Sequence, residues 1–200
     1  MFRRFYPIIL AFAWIVFAGG YARAQVPSSQ PDLGKLAEEA QGWLADMVRI
    51  NTSNPPGNEM AVAKYISGIL QKEGIPNEVV EITPGRGVAI GRLQAGPLQD
   101  AANALLLVAH QDTVGVDPTK WSVDPFGAVI REGYLYGRGS IDDKAMLAAN
   151  LAIVVALKRT GVRLGRDVIF LATATRNKVA RPASRSSSKN IGTRSPALMP

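Results

Sequence analysis

Two short segments of this 200-residue chain, His110-Gln111-Asp112 and Asp142-Asp143-Lys144, hold residue types that can bind a metal and activate water. Residues two apart on an extended strand point to the same side. Asp112 can therefore accept a hydrogen bond from one imidazole nitrogen of His110 while the other nitrogen faces a metal. The second segment supplies carboxylate. Two zinc ions about 3.5–4 Å apart repel one another and need an anion between them, and an aspartate on a glycine-flexed loop suits that bridging position. Gly137 and Gly139 precede Asp142 and permit close backbone approach. Taken singly, each segment also reads as something plainer: a polar strand end, and a solvated loop or helix start. Their order and spacing together carry the metal reading.

The elements that must position these groups alternate along the chain. Ala104 to Ala109 is a short apolar run of the kind that forms a strand buried on both faces of a parallel sheet, which puts His110 and Asp112 at its C-terminal end. In open α/β sheets ligands bind at that edge. Leu36, Ala40, Leu44, Met47 and Val48 recur at helical spacing after Pro31-Asp32-Leu33 and predict a helix ending before Asn51. Pro55, Pro56 and Gly57 mark a loop. A second helix is expected over 59–73, burying Val62, Tyr65, Ile66 and Leu70, with Gly74 at its C-terminal cap. Strands are expected near 77–82, 87–93, 103–109 and 167–174, and a third, apolar helix over 144–159.

Composition removes several alternatives. The chain has no cysteine, which excludes thiolate zinc sites, a cysteine nucleophile and disulfides. Ser140 does not sit in a Gly-x-Ser-x-Gly elbow, and His110 is the only histidine, so a serine triad has no support. The net charge of +7 would suggest nucleic acid or an anionic membrane, but it resides at the two ends. Between Gln25 and Thr175 there are 14 basic and 16 acidic residues, and all the chain's acids lie in that section. Arg3 and Arg4, the apolar stretch 8–19 and Ala22-Arg23-Ala24 read as a secretory signal peptide over 1–24, which predicts a periplasmic or secreted protein with no membrane contact after cleavage. A retained anchor is the alternative. Residues 176–200 are basic, lack acids and aromatics, and are expected to be a disordered tail. A nucleic-acid-binding tail is the sharper alternative there, though no aromatic is present for base stacking.

With these residues in view, the chain resembles the M20 metallopeptidases and amidohydrolases, such as glutamate carboxypeptidase, acetylornithine deacetylase, succinyl-diaminopimelate desuccinylase and aminoacylase-1. Matching stretches run from 44–52 and Asn54-Pro55-Pro56-Gly57-Asn58-Glu59, through His110-Gln111-Asp112, to Trp121, Asp124-Pro125-Phe126 and 133–139. The resemblance covers about residues 33–174. It implies that His110 binds one zinc, that Asp142 bridges two zinc ions or another divalent pair, and that Asp112 orients and polarises His110. It also implies a cis peptide between Asp142 and Asp143. Asp143 and Lys144 match the pattern without being ligands, and Ala145 stands where the family commonly has glycine.

The same resemblance implies a partial three-layer α/β/α zinc-peptidase-like catalytic domain, over residues 25–175, without the family's lid domain. In the family the next strand leads into Asp-Glu-Glu, general base then zinc ligand. Here 168–174 supplies the strand, and Thr175-Arg176-Asn177-Lys178 replaces the acids. Codon degeneracy allows a one-base shift near Ala174 that turns the same bases into Asp-Glu-Glu-Gln-Gly-Gly. The expected function is zinc-dependent hydrolysis of amide or peptide bonds in a small peptide or N-acyl amino acid bearing a carboxylate. The chain as written is expected to be an inactive fragment, and the parent a homodimer through the lid. A non-catalytic secreted binding or scaffold protein of the same fold is the alternative.

Overall fold

The computed structural model describes residues 31–96 and 103–175. The expected signal peptide and basic tail lie outside these residues. Helix α1 spans Leu33–Arg49, opened by the Asp32 carboxylate, which accepts from the Lys35 N–H at 3.0 Å. Its buried face carries Leu36, Ala45, Met47 and Val48. Helix α2, Glu59–Lys72, buries Val62, Ile66 and Leu70, and Gly74 follows with φ +63°, the left-handed conformation that ends a helix cheaply only in glycine. No helix among the described residues is long and apolar enough to cross a membrane.

Four strands form one mixed sheet in the order β1-β2-β6-β3: β1 is Asn77–Thr83, β2 Arg86–Leu93, β3 Leu105–His110 and β6 Val168–Thr173. β3 and β6 run parallel, joined through helix α3, Lys144–Thr160, while β2 is antiparallel to both β1 and β6. In this register His110 lies beside Thr173, so the ends of β3 and β6 emerge together. A two-stranded hairpin, β4 (Val129–Arg131) with β5 (Tyr134–Tyr136), and a 3-10 turn at Pro118–Lys120 interrupt the connection. Periodicity did not show these, because three-residue strands are too short to display a repeat.

The core sits between one sheet face and the helices. Ala89 and Leu93 of β2, Ala109 of β3 and Phe170 and Ala172 of β6 pack with Val62, Ile66 and Leu70 of α2 and Leu147, Leu151, Val154 and Val155 of α3. Arg159 bolts the helices together from α3, donating to Glu73 at 2.6 and 2.9 Å and to Glu39 at 2.7 Å. The expectation that β3 is buried on both faces is corrected. β3 is an edge strand of this sheet, and Leu105, Leu106 and Val108 are about half exposed. Leu106 and Val108 share the face opposite the helices with Ile169, Leu171 and Ile90, since paired residues lie on one side. Two layers of the expected three are therefore built from the described residues.

Asp167 pins the start of β6. Its carboxylate accepts from the Ala95 N–H at 2.8 Å and from Arg92, and its carbonyl accepts from the Leu105 N–H. The Ala95 backbone bond first, and the Arg92 guanidinium second, hold its carboxyl below the usual range. A depressed carboxylate stabilises the fold above its unfolded value of about 4 and ceases to as pH falls through the folded value. Asp167→Asn should therefore cost stability at neutral pH and flatten the loss on acidification below about pH 4, read by urea melts across pH.

Candidate functional site

Each site residue sits at the end of a regular element. His110 is the last residue of β3, and Asp112 follows two positions later in extended chain. The His110 Nδ1 lies 3.0 Å from Asp112 Oδ1, and also 3.1 Å from the Asp112 carbonyl oxygen. On the other side of the ring, Nε2 lies 2.9 Å from Asp142 Oδ1. His110 and Asp112 side chains are 12% and 9% exposed and Asp142 is 67% exposed, so the buried carboxylate backs the ring and the accessible one faces the open side.

Asp142 is delivered by the loop before α3. Gly139 has φ +82°, and a Cβ there would collide with the Thr113 methyl; at Gly137 it would collide with Val48. Both glycines thus permit the close approach expected of them. The Asp142–Asp143 peptide is cis, as the resemblance implied. Asp143 caps α3 and its Oδ2 accepts the His110 backbone N–H at 3.2 Å, fastening the helix start to the strand end without facing the ring nitrogens. An aspartate there is also favoured by the helix dipole. Gly139→Ala is expected to destabilise by about 1–3 kcal/mol through crowding alone, with the positive φ adding to it, measured as a lower urea midpoint at unchanged m.

A cleft of about 600 Å³ opens over this site, walled by Trp121, Tyr134, Tyr136 and Arg138. The Arg138 guanidinium stacks 5.2 Å from the Trp121 ring centre, and its backbone N–H donates to Pro125. Trp121 and Arg138 were visible in the sequence, yet no chemical role attached to them before the fold brought them together. Asn54 was overlooked in the same way. Its side-chain amide donates to Asp112 Oδ2 at 3.0 Å from 58 positions away.

The donor chemistry suits a metal in part. Two ligands about 2 Å from a tetrahedral metal lie about 3.3 Å apart, and Nε2 and the Asp142 oxygen are 2.9 Å apart. Asp112 stands on the opposite ring nitrogen. Among the described residues no three His, Cys, Asp or Glu side chains gather around one point. The set is one edge of a metal site with its supporting carboxylate.

A mixed α/β sheet thus presents a carboxylate-backed histidine at the C-terminal end of β3, over an aromatic-walled cleft. Residues 106–175 match the family model described as peptidase family M20/M25/M40. The chain is 33% identical over 133 residues to succinyl-diaminopimelate desuccinylase 2 of Ruegeria sp., covering 65% of this chain and 32% of that one. It is 30% identical over 138 residues to N-formyl-4-amino-5-aminomethyl-2-methylpyrimidine deformylase of Halalkalibacterium halodurans, covering 68% and 32%. Among solved structures it resembles an M20 family metallo-carboxypeptidase of Sulfolobus solfataricus at 24% identity and TM-score 0.58, covering 68% of this chain and 30% of the other. It also resembles a di-peptidase of Saccharomyces cerevisiae at 22% identity and TM-score 0.59, covering 71% and 33%. The chain spans about a third of the length of these relatives.

Proposed function

We propose that this chain carries the first part of a zinc-dependent amide or peptide hydrolase acting on small carboxylate-bearing substrates, and that the part present here does not turn over by itself. The observation that supports the reading best is the His110 ring, held between buried Asp112 and exposed Asp142 at the C-terminal edge of the sheet. Asp112 fixes the ring through Nδ1, which leaves Nε2 to donate its lone pair toward the side where Asp142 offers an oxygen. His110 and Asp142 would hold the metal, with Asp142 placed to bridge a pair of zinc ions. A bound zinc lowers the pKa of water and polarises a carbonyl. The aromatic cleft walls would seat the acyl or peptide group.

Small amide substrates agree with what the relatives are named for, a desuccinylase, a deformylase and a di-peptidase. A periplasmic or secreted location and a homodimeric parent belong to the same proposal, and rest on the N-terminal signal and the family resemblance. The test is metal binding by the whole chain. Zinc should bind weakly to the native sequence, and His110→Ala and Asp142→Asn should each abolish it while leaving the circular dichroism unchanged. Equal zinc uptake by His110→Ala would remove the assignment.

A further inference from the structure

We propose that Asn54 is a positioning residue for His110, and that the segment Asn54–Glu59 exists in this form to aim its amide at Asp112. The inference rests on the reading of His110 as a metal ligand and adds a third tier of support behind it.

The relay begins at an ion pair that is buried at its carboxylate end, with the Arg86 side chain 15% exposed. Glu59 is fully buried, and Arg86 meets it with two N–H groups, Nε to Oε2 at 2.9 Å and Nη2 to Oε1 at 3.1 Å. The remaining arm, Nη1, donates to Asn54 Oδ1 at 3.2 Å. Asn54 Nδ2 donates to Asp112 Oδ2, and Asp112 Oδ1 reaches His110 Nδ1. An asparagine amide can ordinarily be turned either way. Here a guanidinium has no acceptor and a carboxylate has no donor, so the carbonyl must face Arg86 and the NH₂ must face Asp112. Asp112 Oδ2 also accepts the Thr175 hydroxyl at 2.7 Å. With donors placed on Oδ2, Oδ1 is directed at the ring and favours a proton on Nδ1, against the pull of Asp142 Oδ1, 2.9 Å from Nε2.

The backbone is built around the same relay. Asn54 N–H donates to the Thr113 carbonyl at 2.8 Å, and Ser53 bridges Thr113, so the loop is laid along the Asp112 segment. Gly57 has φ +84°, and a Cβ there would lie 2.7 and 2.8 Å from the Glu59 carboxylate oxygens and 3.0 Å from Arg86 Nε. The ion pair fills the space that any other residue at 57 would need. A pair serving only to tie α2 to β2 would not require the third guanidinium arm on Asn54.

The test uses the full chain labelled with ¹³C,¹⁵N-histidine, in which His110 supplies the only ring signals. At a pH where the ring is neutral, and with Asp142→Ala taking the competing carboxylate off Nε2, the chain should show one set of ring resonances with the proton on Nδ1. Asn54→Asp keeps the acceptor for Arg86 and the side-chain volume but offers Asp112 no donor. It should convert that set to an averaged or mixed-tautomer pattern, as Asp112→Asn should, at unchanged circular dichroism. Arg86→Lys, which loses the third arm, should move the spectrum the same way. Zinc affinity should fall about 10-fold in Asn54→Asp. Ring signals that respond to Asn54→Asp in a chain binding no zinc would uphold the relay while removing the metal assignment. Native ring signals and native zinc affinity in a folded Asn54→Asp protein would overturn the relay.

Discussion

Reading the bases after Ala174 one position earlier is expected to turn a chain without measurable amide hydrolysis into one with zinc-dependent turnover. The fold supports this on grounds independent of codon arithmetic. β6 runs parallel to β3, its Thr173 beside His110, and two residues later Thr175 already touches Asp112. The described chain thus ends its strand at the site, which is where a general base and a further carboxylate ligand are wanted. A catalytic zinc has three protein ligands, and the described residues aim two donors at one point. Removing the general base alone costs about 10²–10⁴-fold in rate, and incomplete metal occupancy multiplies that loss. The measurement is bound zinc and hydrolysis of N-acyl amino acids and dipeptides by both forms. Arg176→Glu with Asn177→Glu in the 200-residue chain, which leaves the Thr175 bond in place, should raise zinc affinity by itself. Zinc-dependent turnover by the unaltered chain, comparable with the restored one, would show that the site is complete without those acids.

The placement of this site was legible because it depends on local pattern. Apolar runs end at His110 and at Ala174, helical spacing begins at Lys144, and a glycine-bearing loop precedes Asp142. These are features of a few consecutive residues, and all four main strands and all three helices fall within about two residues of where pattern puts them. Pairing is a different kind of information. Nothing in β2 announces that it runs antiparallel between β1 and β6, because alternation of buried and open positions is the same in either direction. The apolar run of β3 carried a misleading signal for a related reason. Leu105, Leu106 and Val108 are as apolar as a fully covered strand requires, while the described residues cover one face only.

The supporting residues were the least legible part. Asn54, Pro55, Pro56, Gly57 and Glu59 stood out as a motif, yet a loop punctuated by proline and glycine gives no hint that its asparagine reaches Asp112 or that its glutamate pairs with Arg86. Those contacts span 58 and 27 positions and exist only after α2 packs on β2. Lys144 shows the same limit. Next to two aspartates, it reads as part of a solvated loop or helix start. In the fold its side chain is fully buried.

Lys144→Ala is expected to destabilise the protein by about 3–5 kcal/mol, and Lys144→Met by clearly less. The ammonium donates to the Met47 and Ile50 carbonyls at 2.9 Å each, satisfying oxygens at the C-terminal end of α1 from the first residue of α3. A helix leaves its last carbonyls without partners, and a cation there also meets the negative end of the helix dipole. Alanine leaves the Ile50 carbonyl without its donor, at about 1–3 kcal/mol, takes one of two donors from the Met47 carbonyl, which keeps the Ile50 N–H, and leaves a void where the lysine stem packed. Methionine restores neither donor but fills the void. Lysine also carries a cost that methionine does not, because burial pushes its pKa down from 10.5 to about 8, against an opposing pull from Glu59. A lowered lysine pKa means that the unfolded chain binds the extra proton between about pH 8 and 10.5, so folding becomes more favourable as pH rises through that window. The native protein should therefore gain stability relative to Lys144→Met from pH 8 to 10.5, by roughly 2–3 kcal/mol. Urea melts of the pair across that range measure it. A constant difference would mean that Lys144 stays charged in the fold, held by its two carbonyls and Glu59 more firmly than burial opposes it.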